Sequence, residues 1–141
     1  MKPLLLLTMI TVTSLLLVRT SASADEAAFR SLNYKNALVQ ADKEGKVVML
    51  DFTASWCGFC RLMEKNTFAN DNVQKFLRTK VVAIKVDGDK HRGLVKQYNV
   101  RGYPTVVFVN QQGREVGRIV GYLGAGEFLY DARLFARLKG S

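Results

Sequence analysis

The 141 residues suffice for one ordinary domain and not two. A hydrophobic content of 48 % and a charged content of 23 % read as a soluble globular protein. The formal charge of +9 is spread over Arg61, Lys65, Lys75, Arg78, Lys80, Arg114, Arg118, Arg133, Arg137 and Lys139, with no dense basic run interleaved with aromatics. That scatter argues against a nucleic-acid footprint, which clusters on one face.

In chain order, the first element is a leader. Lys2 gives a positive start, Leu4 to Val18 is apolar apart from Thr8, Thr11, Thr13 and Ser14, and Ala22-Ser23-Ala24 has the small-x-small form of a signal-peptidase site. Composition turns polar at Asp25. The pattern predicts a secretory signal peptide over 1–24, cleaved after Ala24, and a single domain over 25–141. The alternative is an uncleaved anchor, for which the 4–18 run is short against the ~20 residues of a span. Without residues 1–24, which carry Lys2 and Arg19 and no acid, +9 falls to +7. Export to the periplasm or beyond would permit disulfides.

Residues 25–31 read as a loose start. Tyr34, Ala37, Leu38 and Ala41 recur at i, i+3, i+4, i+7 and predict an amphipathic helix, with Asn33 as N-cap and Gly45 as stop. "VVMLDFT", 47–53, is a nearly continuous run of β-formers, as in a strand buried on both faces. A helix is expected from about Cys57 to Asn66, and another near 71–79 capped by Asn70 or Asp71. "VVAIKV", 81–86, is the second strand; Leu94, Val95 and Tyr98 mark a helix; "TVVFV", 105–109, turns at "NQQG" and pairs with 114–120 as a hairpin. Phe128, Leu129, Ala132, Phe135 and Leu138 make a terminal amphipathic helix. Strands that alternate first with helices pair in parallel through a right-handed crossover, and the hairpin adds an antiparallel portion. The expected fold is α/β, a mixed sheet of four to five strands with helices on both faces.

Both cysteines lie in "ASWCGFC", as Cys57 and Cys60. A structural zinc site needs four ligands, and the only histidine, His91, sits far on in the polar stretch "DGDKHRG". A stapling disulfide gains stability from a long loop, and this loop is very short. Redox chemistry fits the neighbours better. Cys57 follows a buried strand and opens a helix, where free N–H groups favour a thiolate. Cys60 lies one turn on, close enough to resolve a mixed disulfide. Trp56 offers an apolar surface to a client chain, or packing over the helix start. Asp51 is a carboxylate in a buried strand, which is costly; it can exchange the proton of Cys60, or be hydrogen-bonded for structural reasons. Pro104 stands between "RGY" and a strand, and an X–Pro bond is the usual place for a cis peptide, often in a tight turn.

A strand with its Asp, then "ASWCGFC", a helix, and "VRGYPT" before a hairpin resembles the thioredoxin superfamily over roughly residues 33–138. Within it, "ALVQADKEGKVVMLDFTASWCGFCRLMEKNTFANDNV" is similar to the C-terminal periplasmic domain of the bacterial membrane thiol:disulfide interchange proteins, which share Met63-Glu64 to Thr67-Phe68. The resemblance implies a thioredoxin fold, Cys57 as nucleophile, Cys60 as resolving thiol and Asp51 as the buried acid. It implies that Pro104 is the family's cis-proline, and it puts Trp56, Gly58, Phe59, Tyr103 and Pro104 at the client surface. The expected activity is exported thiol–disulfide exchange, running as reductant, with oxidation or isomerisation, or a non-catalytic binding module, as alternatives. No cofactor is expected, electrons passing between a monomeric chain, client proteins with disulfides or thiols, and a membrane or soluble thiol donor. The Gly58-Phe59 dipeptide departs from the Gly-Pro of thioredoxin. No lysine matches securely the partner that thioredoxin gives its buried acid; Lys85 lies near.

Overall fold

A computed structural model of the chain describes residues 28–138. The predicted leader lies outside them.

Strand β1, Val47–Thr53, is the axis of the molecule. Six of its seven residues are buried, as expected of a β-branched and aromatic run with helices over both faces. It pairs in parallel with β2, Val81–Asp87, and antiparallel with β3, Thr105–Val109. β3 continues through an Asn110 turn into β4, Glu115–Val120, so the order is β2-β1-β3-β4. The turn is closed by the Asn110 side chain, whose Oδ1 accepts from the backbone N–H groups of Gln112 and Arg114. The sheet has four strands, the lower of the two numbers expected. Among the described residues, the open edge of β2 gains a one-residue parallel bridge from Phe29 to Ala83, with the Arg30 N–H donating to Ala83 O. Residues 28–30 are therefore not a loose start. The unpaired backbone of an edge strand takes a partner where it can, and the Phe29 ring packs edge-on against Phe68 at 5.1 Å.

The helices divide between the two faces. Over one face lie α1, Tyr34–Glu44, and α4, Arg92–Gln97, packing Ala37, Ala41 and Leu94 against Val48, Leu50, Phe52 and Val107. The α1 ends follow the sequence: Asn33 accepts from the Asn36 N–H, and Gly45 takes the left-handed conformation at φ 62° that a side chain disfavours. Over the other face lie α2, Gly58–Met63, α3, Asp71–Lys80, and α5, Ala125–Arg137. Their Met63, Val73, Phe76, Leu77, Phe128 and Ala132 meet Val47, Met49, Ala83 and Val106.

The helix after the cysteines departs from expectation. Its α-helical part ends at Met63 and Glu64–Phe68 forms a π-helical turn. The wider turn places both Thr67 and Phe68 in the core. The Thr67 hydroxyl donates to Leu123 O, and Phe68 stacks edge-on to Phe128 at 5.5 Å.

Candidate active site

Alternation along β1 decides what faces the cysteines. Val47 and Met49 belong to the core under α2, α3 and α5, while Val48, Leu50 and Phe52 belong to the opposite core. Asp51 continues the first series, so its carboxyl lies on the α2 side of the sheet. It is 3 % exposed. Burial drives its pKa from the ordinary 3.8 up to about 7; the Lys85 ammonium works against that rise and the Glu64 carboxylate adds to it.

Lys85 stands directly beside Asp51 as its register partner on β2. Its ammonium pairs with Glu64 of the π turn and lies 4.9 Å from the centre of the Phe29 ring. Glu64 and Cys60 border a cleft of about 480 Å³ that also reaches Asp87. Buried acid, half-exposed acid, lysine and Cys60 thus share one side of the sheet. From these interactions, Lys85→Met should move the Asp51 titration above about 7, and Glu64→Gln should move it below. The 13C shift of the Asp51 carboxyl followed against pH reads both directions.

The chain leaves β1 at Thr53 and reaches α2 through Cys57, which is the N-cap of that helix in extended conformation. Cys57 and Cys60 form a disulfide with Cα atoms 5.3 Å apart. The Cys60 backbone N–H donates to Cys57 Sγ at 3.1 Å, so a negative charge on that sulfur meets a donor already in place. The two cysteines do not differ in exposure. Cys57 is 4 % exposed and Cys60 7 %. In the closed disulfide, Ala54 and Tyr103 pack against the pair and cover Cys57 as fully as Cys60.

The other sequence candidates ring this pair. Trp56 and Phe59 are 66 % and 65 % exposed, unusual for aromatics that no partner covers. Gly58 is exposed at the start of α2. The Tyr103–Pro104 peptide is cis, as the resemblance implies, with Pro104 buried and Tyr103 against the cysteines. The Trp56 and Tyr103 rings are tilted together with centroids 5.8 Å apart.

Two residues of the loop after β2 join the site without having been singled out in the sequence. The Trp56 indole N–H donates to Asp89 Oδ2 at 2.9 Å, which fixes the ring. Gly88 lies under Tyr103, where a Cβ would come within 2.0 Å of its hydroxyl. The signal for Gly88 is a glycine inside a polar turn; the contact depends on a segment fifteen residues further along and has no local mark. His91, expected in a solvated loop, is exposed beside them, its ring Nδ1 3.0 Å from Asp87 O.

The comparisons with known proteins agree with this geometry. The model of the thioredoxin-like domain family matches residues 34–131. The thiol:disulfide interchange protein DsbD of Yersinia pestis is 38 % identical over 96 residues, covering 64 % of this chain and 16 % of that protein. The chain thus spans about a sixth of the curated relatives it matches. Among solved structures, the C-terminal domain of DsbD from Neisseria meningitidis in the reduced form is 31 % identical, with a TM-score of 0.57, 68 % of this chain and 88 % of that one covered. A thioredoxin from Thermus thermophilus is 31 % identical with a TM-score of 0.71, covering 80 % and 91 %. Sheet order, a Cys-x-x-Cys helix start, a cis-proline beside it and the matched span together make the chain a member of the thioredoxin-like domain family.

Proposed function

We propose that the chain is an exported thiol–disulfide oxidoreductase that acts on client proteins, in the periplasm or outside the cell, after removal of residues 1–24. The observation that carries this reading is Cys57: a sulfur at a helix start, hydrogen-bonded by the Cys60 N–H and rimmed by uncovered Trp56 and Phe59. In the reductive direction the Cys57 thiolate attacks a client disulfide. One client sulfur bonds to Cys57 and the other leaves as a thiolate, which takes a proton. The Cys60 thiol then gives its proton to Asp51, and its thiolate attacks Cys57 Sγ. The second client sulfur departs and the Cys57–Cys60 disulfide remains. The client gains two electrons; its second sulfur takes the proton held by Asp51, and its first takes one from water, equal to the one Cys57 released when it ionised.

An Asp51 carboxyl poised at about 7 is matched to this proton exchange near neutral pH. The roles of Gly58, Tyr103 and Pro104 in this proposal are to shape the surface against which an extended client segment lies. Thiol or disulfide partners follow from the same chemistry: clients on one side, a thiol donor on the other.

Catalysed reduction of insulin with dithiothreitol as electron source tests the activity. Turnover well above dithiothreitol alone is expected, and no turnover above it would leave a binding module. The glutathione equilibrium tests direction. A potential near thioredoxin's, about −270 mV, supports reduction, and one near about −120 mV supports oxidation of clients.

A further inference from the structure

A second cleft, of about 620 Å³, opens where α3, α5 and the turn before β1 meet. Lys46, Lys75, Lys80, Arg133 and Arg137 line it, with no carboxylate among the described lining residues. Glu44, next along the chain from Gly45, is already held by Arg30 and Lys46. Among the described residues, Lys75, Lys80, Arg133 and Arg137 form no ion pair. These four cations around one opening repel each other, and an anionic surface relieves all of them at once.

The rim adds a second, independent feature. Tyr130, Arg133, Leu134, Arg137 and Leu138 follow i, i+3, i+4, i+7, i+8 along α5 and its C-cap, so they share one stripe. Tyr130 is 77 %, Leu134 52 % and Leu138 46 % exposed. Large apolar side chains interleaved with arginines on a surface helix suit the boundary between lipid headgroups and acyl chains. A small soluble anion in the cleft would leave the three apolar side chains without a role. No helix among the described residues is long and apolar enough to cross a membrane, so contact through this face is peripheral.

We propose that the α3–α5 end of the molecule docks on an anionic lipid bilayer, with Lys75, Lys80, Arg133 and Arg137 against lipid phosphates and Tyr130, Leu134 and Leu138 in the interface. Gly45 and Lys46 precede β1 and Lys80 precedes β2, whereas the cysteine loop follows the other end of β1. A strand of that length separates the two ends by roughly 20 Å. Docking in this way turns the disulfide away from the bilayer, where clients can reach it.

The test uses the exported chain carrying Trp56→Phe and Tyr130→Trp, so that the introduced indole is the sole tryptophan and reports locally whether or not the leader is retained. Vesicles of phosphatidylcholine with phosphatidylglycerol should shift its emission to the blue, and vesicles of phosphatidylcholine alone should not. Arg133→Gln and Arg137→Gln should each lower partition onto the anionic vesicles by about fivefold, the worth of one cation at a charged membrane surface. Circular dichroism checks that these variants fold, and the contrast between the two vesicle types stands without them. No shift on anionic vesicles, or an equal shift on neutral ones, overturns the proposal. So does a shift abolished by inorganic phosphate at constant ionic strength, which marks a phosphate-ion site, or a response to polyglutamate and not to vesicles, which marks a site for an acidic polypeptide.

Discussion

Cys60→Ser should arrest exchange at the covalent adduct. After Cys57 attacks a client disulfide, nothing remains within reach to displace the client, and mixed disulfides through Cys57 should accumulate on a non-reducing gel. Cys57→Ser should form no such adducts and should reduce insulin at the dithiothreitol background. The asymmetry rests on hydrogen bonding and not on exposure, since the two cysteines are buried alike. The Cys60 N–H faces Cys57 Sγ, and the helix that begins at Gly58 adds its N-terminal field. Both favour the Cys57 thiolate over the free thiol, whose pKa is about 8.5. In the reduced protein, limited iodoacetamide at neutral pH should therefore label Cys57 first. Adducts that accumulate in Cys57→Ser and not in Cys60→Ser would assign the two roles the other way round.

How much of this could be read from the sequence depends on the range of the interaction. The strands were legible because β-branched runs buried on both faces carry no polar alternation, as in Val47–Phe52. The ends of α1 were legible because Asn33 and Gly45 act on their own neighbours. The cysteine loop was legible because its chemistry is written within four residues. What escaped depends on register or on distant packing. Lys85 becomes the neighbour of Asp51 only when the crossover through α2 and α3 sets β1 against β2 residue for residue. Lys85 is the one charged and exposed residue in "VVAIKV", but nothing local says what it faces. Gly88 under Tyr103 and the bridge from Phe29 to Ala83 join segments whose local sequences say nothing of each other. The π turn at Glu64–Phe68 has no local signature either, its Thr67 and Phe68 being placed by partners on Leu123, Phe29 and Phe128. The burial of Cys57 likewise comes from Tyr103, which packs against it from far along the chain.

Asp51→Asn should both slow the chemistry and stabilise the fold, each with its own dependence on pH. The carboxyl titrates at about 7 in the folded chain against an ordinary 3.8. Between those values the folded state holds a proton that the unfolded state has released. Stability therefore falls as pH rises from about 4, and the fall is complete above about 7. A gap of about three pH units at about 1.4 kcal/mol each puts the total near 4 kcal/mol, as an order of magnitude. The amide has no such titration. Thermal or urea unfolding should thus show the variant gaining on the wild type across that window, with a constant difference above it. Activity should run the opposite way. Without a carboxylate to take the Cys60 proton, resolution of the mixed disulfide should slow by about a hundredfold near neutral pH, within the usual reach of a general base. Attack by Cys57 should change less, because its sulfur is served by the Cys60 N–H and not by Asp51. The slowing should shrink at high pH, where hydroxide and solvent deprotonate Cys60 unaided. A variant with wild-type resolution across the pH range, but with the predicted gain in stability, would make Asp51 a buried acid with no part in the exchange. One lacking both changes would mean that the carboxyl is not held protonated and takes no part in the exchange.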